Sequence, residues 1–218
     1  MSVEAADRRV SEAPLDAEGF ASLMGVSRET VAKLEAYIAL LKTWQKAINL
    51  VGKSTLSDPW RRHILDSAQL CQFLPRAPFG VVDIGSGAGL PGLIVAIMTT
   101  AARVHLVEAD GRKAQFLREA ARRLELTNVT VHAVRIESLT LQADVVTARA
   151  LAPLAKLLPL AAPLLVSGSR MILLKGANTA AELAEARASW SMRDQLEPSL
   201  ADPNGRVVIL DEVRRRAQ

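Results

Sequence analysis

The sequence predicts an α/β fold with about seven strands, parallel until a C-terminal antiparallel hairpin, behind an N-terminal helical extension. Three observations carry this. First, Val81, Val82 and Ile84 form a short apolar, β-branched run, as expected of a parallel strand buried on both faces. Second, Gly85, Gly87 and Gly89 follow it at alternate positions and lead into an apolar helical stretch near Pro91. Strand, glycine turn, helix is the geometry of a ligand site at the carboxyl end of a central strand. Third, strand and helix patterns alternate from there until Asp202-Pro203-Asn204-Gly205, where Asn-Gly signals a hairpin. A hairpin makes the last strand antiparallel.

Taken in order, residues Met1 to Pro14 are polar and are expected to be frayed. Val31, Leu34, Ile38, Leu41 and Ile48 recur at helical spacing after Ser27, a suitable N-cap, and this helix ends near Ala47. Asn49-Leu50-Val51-Gly52 reads as a turn. Asp58 and Pro59 then cap and open a helix that runs through Trp60, Ile64 and Leu65 to about Phe73. Pro75 and Pro78 separate these helices from the first strand, so residues 1–79 are expected to form a helical cap and 80–218 the α/β domain.

Val104 to Val107 is the second strand, with a helix from Gly111 to about Leu126 behind it. Val129 to Val134 and Asp144 to Thr147 are the third and fourth. A proline-spaced helix precedes the strand Met171 to Leu174. A helix from Thr179 to about Trp190 and strands near Gln195 and at Val207 to Leu210 complete the chain.

Composition narrows the function. Of the 218 residues half are apolar, enough for one good core. The net charge of +4 suits a polyanionic partner as well as simple solvation. One cysteine, Cys71, excludes an internal disulfide, and three scattered histidines disfavour a metal site. The apolar run from Leu151 to Val166 is broken by Pro153, Lys156, Pro159 and Pro163, so no membrane span is expected. The N-terminus has no apolar export segment, which leaves the cytoplasm as the default. Aromatic residues make up 4%, too few for a base-stacking platform.

The candidate site residues follow from the fold. Glycines at 85, 87 and 89 allow a ligand to approach the main chain. Counted from Gly85, Leu90 stands where the third dinucleotide glycine would be, so the spacing departs from the NAD fingerprint. Glu108 ends the second strand, where an acid accepts hydrogen bonds from ribose hydroxyls, with Asp110 as competitor. Ile136 and Glu137 follow the third strand, where they offer an apolar face and an acceptor to an adenine or form a plain surface loop. Arg149 follows the fourth strand, the position that points at a reacting centre. It suits a carboxylate or phosphate by bidentate bonds, or else a structural ion pair with Asp144 or Glu137. Lys53, Arg61, Arg62, His63, Lys175 and Arg214 to Arg216 are candidate phosphate contacts.

The G-x-G-x-G loop behind Asp83 resembles the S-adenosylmethionine loop of Rossmann-like class I methyltransferases, whose sheet also ends in a reversed strand. More specifically, Asn49-Leu50-Val51-Gly52, Arg62-His63-Ile64-Leu65-Asp66-Ser67, Asp83 to Gly92, Gly111-Arg112-Lys113 with Phe116-Leu117, Arg149-Ala150 and Leu174-Lys175-Gly176 resemble the bacterial 16S ribosomal RNA guanine-N7 methyltransferases, the glucose-inhibited division protein B family. The likeness spans about Leu34 to Lys175. Two positions depart from the family pattern: Glu108 stands where Asp is usual, and Ser138 where a second acid is usual. The resemblance implies S-adenosylmethionine as cofactor and 16S rRNA or the small ribosomal subunit as partner; a monomer without a metal is the accompanying expectation. It implies a cofactor site at Gly85, Leu90, Ile136, Glu137 and Arg149; the loop and fold reading adds Asp83, Ser86, Gly87, Gly89 and Glu108 as expected cofactor contacts. Arg149 is the expected catalytic residue, and Asn49, Arg62, His63 and Lys175 are expected to face RNA. The rival readings are an NAD-dependent oxidoreductase, a non-catalytic RNA-binding or assembly module, and a small-molecule methyltransferase.

Overall fold

The computed structural model describes residues 14–76 and 78–217, so the frayed N-terminus expected for Met1 to Pro14 lies almost wholly outside the described residues. The chain opens with a helix the sequence reading lacks, α1 (Ala17–Met24). Its signals are local: Asp16 accepts from the Gly19 N–H at 2.8 Å, and Gly25 closes it at φ +63. Phe20 is its one fully buried side chain, packed on Trp60 with ring centroids 5.4 Å apart. Helix α2 (Arg28–Trp44) is capped by Ser27, whose hydroxyl accepts from the Thr30 N–H. Its buried stripe of Leu34, Tyr37, Ile38 and Leu41 follows the expected spacing.

The expected helix from Asp58 to Phe73 is present but not uniform. A π-helical turn (Trp60–Leu65) leads into α3 (Asp66–Ala68) and a 3₁₀ turn (Gln69–Phe73). Such wide turns are rare and cluster at functional sites.

Seven strands form one sheet: β1 (Phe79–Ile84), β2 (Ala102–Val107), β3 (Val129–His132), β4 (Ala143–Arg149), β5 (Leu165–Lys175), β6 (Trp190–Pro198) and β7 (Arg206–Arg215). Their order is β3-β2-β1-β4-β5-β7-β6. The first five run parallel, while β7 pairs antiparallel with both β5 and β6. Connections leave β1 towards β2 on one side and arrive at β4 on the other, so the crevice outside the carboxyl ends of β1 and β4 is the topological switch point. The β6–β7 connection is longer than a two-residue Asn-Gly hairpin. Gly205 N–H donates to the Asp202 carbonyl and Ser199 N–H to the Gly205 carbonyl, which makes Asp202 to Gly205 one β-turn inside a wider loop.

Helices α4 (Gly92–Met98), α5 (Gly111–Arg123), α6 (Leu154–Ala161) and α7 (Thr179–Arg187) cover the sheet. Helix α5 stops before the expected Leu126, and α7 stops before Trp190, which opens β6 instead. Along β1 the side chains alternate between two buried clusters. Val81 packs with α2, α4 and α5, and Val82 and Ile84 pack with α6 and α7. Phe116 of α5 meets both Tyr37 and Trp44, which seats the N-terminal helices on the sheet. Among the described residues no helix is long and apolar enough to cross a membrane.

One bond ties this packing to the glycine loop. The Tyr37 hydroxyl, fully buried, donates to the Ala88 carbonyl at 2.8 Å, and burial pushes its pKa up. Tyr37→Phe leaves that carbonyl unsatisfied, so we expect a loss of about 1–2 kcal/mol in urea unfolding with near-UV packing otherwise retained.

Candidate functional site

Two cavities open at the switch point. The smaller, about 430 Å³, is walled by the loop after β1, by Val107 and Glu108, and by Ile136 and Glu137 in the 3₁₀ turn after β3. Its floor is main chain. Gly85 sits at φ +66, and a Cβ there would lie 2.5 Å from the Leu151 side chain. Gly87 sits at φ +55, with nothing nearer than 3.8 Å to its imaginary Cβ, so the space above it is open. Both need the left-handed region that glycine enters freely.

The Glu108 carboxylate spans this loop. Oε2 accepts from the Gly87 N–H and Oε1 from the Asp110 N–H, each at 2.8 Å. Each oxygen keeps a further acceptor lone pair, and Glu108 lines the cavity, as a ligand diol would require. Asp110 caps α5 by accepting from the Arg112 and Lys113 amides, so the competition between the two acids resolves by geometry.

Asp83 lies beneath the loop and is not part of the cavity wall. It has no exposed surface. Thr147 Oγ1 donates to Oδ1 at 2.8 Å, and the Gly92 N–H donates to Oδ2 at 3.3 Å. It therefore fixes β1 to β4 and to the start of α4. Gly89 likewise lies outside the wall; a Cβ there would run into Leu93. Ser86 contributes little surface, and its hydroxyl donates to the Asp83 carbonyl and accepts from the Val107 N–H.

The larger cavity, about 800 Å³, brings together Asn49, Arg62, His63, Arg149 and Lys175, the residues expected to face RNA or the reaction. Leu50, Arg149, Ala150 and Leu151 line both cavities. In the π-helical turn Arg62 and His63, with Asp66 just after it, face the same space.

Arg149 is held from three directions. Its Nη1 donates to the Arg62 carbonyl and to Asp66 Oδ2, both at 3.1 Å, and Nη2 donates to His63 Nδ1 at 3.3 Å. The ion-pair partner is Asp66, not the expected Asp144 or Glu137; Asp144 instead accepts from the Gly80 N–H. A guanidinium only donates, so His63 Nδ1 must accept and its proton sits on Nε2. Nε2–H then donates to Thr55 Oγ1 at 2.8 Å, and Thr55 donates to the Gly52 carbonyl at 2.6 Å. Burial, with the charges of Arg149 and Arg62, pushes His63 down to about 3, so it is neutral near pH 7. Burial pushes Asp66 up from the ordinary carboxylate range, although Arg149 pulls the other way.

Several basic residues are less available than the sequence suggests. The Lys175 ammonium donates to the Ala152 carbonyl at 2.6 Å and to Glu182 Oε2 at 2.8 Å. Arg62 pairs with Asp202 of the β6–β7 loop at 3.1 Å. Arg214 to Arg216 close β7 beside Trp190, at the end of the sheet opposite the cavities. Tyr37, Thr55, Asp66 and Glu182 went unassigned in the sequence; Asp66, four residues after Arg62 on one helix face, is the one its spacing could have revealed. Among the described residues no group of three His, Cys, Asp or Glu side chains is placed to hold a metal ion.

A seven-stranded sheet with a reversed last strand and a glycine loop at its switch point defines the class I methyltransferase fold. A methyltransferase from Aquifex aeolicus has that fold, with a TM-score of 0.55 and 16% identity over 72% of this chain and 95% of that one. TYW2 from M. jannaschii, crystallised with AdoMet, gives 0.55 and 16% over 70% and 76%. Within the class, residues 30–217 match the family described as GidB, rRNA small subunit methyltransferase G, and the chain belongs to that family. The ribosomal RNA small subunit methyltransferase G of Rhodospirillum rubrum is 52% identical over 199 residues, covering 91% of this chain and 98% of that protein. The Cereibacter sphaeroides protein of the same name is 52% identical over 196 residues, covering 87% and 93%. The resemblance read from the motifs is thereby borne out, and the oxidoreductase reading falls.

Asp83 gives a pH prediction. Burial raises it to about 6, against an unfolded value near 3.8. Between these values the folded chain holds a proton that the unfolded chain has lost, so this group's contribution falls as pH rises from about 4 to about 6. Asp83→Asn should flatten that part of the urea-derived stability profile. The expected difference between variant and parent across the window is roughly 3 kcal/mol.

Proposed function

We propose that this chain transfers a methyl group from S-adenosylmethionine to N7 of a guanine in small-subunit rRNA. The observation that carries the reading is the shared wall: a cavity floored by glycine backbone and a larger cavity lined by arginine, histidine and lysine meet at Arg149 and Leu151. One suits a small cofactor, the other a nucleotide.

The smaller cavity fits the cofactor's parts. The open backbone above Gly87 admits its methionine end, Glu108 has spare acceptors for the ribose hydroxyls, and Ile136 with Glu137 offers an apolar face beside an acceptor for adenine. When bound, S-adenosylmethionine supplies an electrophilic methyl carried on a sulfonium. Guanine N7 already holds a lone pair in the ring plane, so the attack needs no general base. What the chain must supply is alignment, which in well-ordered pairs is worth about 7–11 kcal/mol of barrier.

Arg149 is placed for this work. Its Nη atoms are anchored to Asp66, His63 and the Arg62 carbonyl, and the guanidinium stands where the two cavities meet. Its positive charge there suits an RNA phosphate or the cofactor's carboxylate. Arg62, the more exposed cation at the cavity mouth, suits a backbone phosphate if it exchanges Asp202 for it. A guanine presented from an irregular RNA loop fits the 800 Å³ space, whereas an A-form duplex hides N7 in its deep major groove. An rRNA substrate also supports a cytoplasmic site of action.

Mass-spectrometric mapping of rRNA from cells with and without the gene tests the reading. One N7-methylguanine should vanish from small-subunit rRNA, and loss of a different modification or of none would overturn it. Gly87→Ala puts a methyl group into the cradle at positive φ. We expect at least a tenfold loss of S-adenosylhomocysteine affinity by calorimetry, with a stability cost of only about 1–2 kcal/mol.

A further inference from the structure

Glu182, on α7, has no part in the methyl transfer proposed so far. It lines the larger cavity, and its two carboxylate oxygens are in different situations. Oε2 is saturated, because it accepts from Lys175 Nζ at 2.8 Å and from the Leu154 N–H at 2.9 Å. Oε1 accepts from no described residue, and the side chain is 21% exposed. The carboxylate is thus fixed in orientation by a lysine and a main-chain amide, with one oxygen and two lone pairs left over.

We propose that Glu182 reads the N1–H and N2–H edge of the substrate guanine. This rests on the reading of the larger cavity as the guanine site. Guanine presents two adjacent donors on that edge, and Oε1 offers two lone pairs to them. Adenine presents an unprotonated N1 there, whose lone pair would oppose the carboxylate. The edge lies across the base from N7, and Glu182 lines the larger cavity alone, whereas Arg149 lines both and so borders the cofactor side. A site built to satisfy donors rejects an analogue lacking one far better than an apolar slot does. The 800 Å³ space leaves room for the sugar and flanking phosphate as well.

The same contact bears on rate. As N7 gains the methyl group the ring becomes cationic, and N1–H and N2–H become stronger donors. A hydrogen bond to Glu182 then strengthens on the way to the transition state, so its loss appears in kcat and not only in KM. Lys175 acts through Glu182 as a positioning residue.

The test uses small subunits reconstituted on rRNA carrying guanine or inosine at the methylated position. Inosine keeps N7, O6 and N1–H and lacks only the 2-amino group. For the unaltered enzyme, kcat/KM should fall at least tenfold on inosine. For Glu182→Gln it should be low on guanine, and the guanine-to-inosine ratio should shrink to within about threefold. An unchanged ratio in Glu182→Gln, with S-adenosylhomocysteine affinity and thermal midpoint retained, overturns the proposal. Glu182→Asp, which keeps the charge, should restore part of the ratio if the carboxylate reads the base, and an equal loss of ratio in both variants would also overturn it. Absence of N7 methylation on guanine by the unaltered enzyme refutes the functional reading instead, so the two failures are distinguishable.

Discussion

The site depends on the contact between Arg149 and Asp66. It joins the end of β4 to the wide helical turn of the N-terminal segment, two parts of the chain 83 residues apart. Both side chains are 18% exposed; burial pushes Asp66 up, and the charge and hydrogen bond of Arg149 pull it back down. Such a pair is weak evidence for stability, since desolvation offsets much of its attraction. Removing one partner is costly, because the other is left charged and buried. The pair therefore behaves as a latch: it adds little to folding, yet it permits only one arrangement of the wall between the cavities.

The latch works because its neighbours leave it no alternative. His63 is neutral and accepts from Arg149, so it adds no repulsion and fixes the guanidinium plane. Its other nitrogen hands the constraint on through Thr55 to the Gly52 carbonyl. Gln45 closes the same turn by accepting from Leu50 and Val51 and donating to the Val51 carbonyl. On the opposite side Gln69 ties the helical segment to the β6–β7 loop through Ser199 and Leu200. N-terminal helices, parallel strands and terminal hairpin thus converge on one cavity, although each is distant from the others in sequence.

The cofactor side was legible in the sequence to a degree that the substrate side was not, and the reason is physical. A glycine loop is written in backbone terms: closely spaced glycines after a strand signal a tight turn and close approach to the main chain, and Gly85 and Gly87 then take positive φ. The number of strands and the reversed last strand followed from alternation and the Asp-Pro-Asn-Gly signal, whereas the spatial order of the strands is a tertiary fact. Asp83 shows the limit, because an acid beside glycines looks like a ligand contact until its burial beneath the loop is known. Lys175 fails the same way: lysine type suggests a phosphate, whereas its partners Ala152 and Glu182 are tertiary facts. The π-helical turn has no residue signature separable from an α-helix, and α1 was missed because its eight residues bury only Phe20.

That asymmetry reflects the chemistry. In the proposed reaction a nucleophile with its own lone pair asks the protein for no base, no acid and no covalent partner, and so leaves no catalytic signature of the usual kind in the sequence. In such a site the informative atom is the one whose neighbours are satisfied while it is not. Arg149, Asp66, His63 and Thr55 close on themselves, and Asp83 closes beneath the loop. Glu108 keeps spare lone pairs on one side of the shared wall and Glu182 keeps an oxygen on the other. Two acceptors facing two cavities, each braced by main-chain amides, are what a diol and a purine edge would need if both were held rigidly while a single methyl group crossed between them.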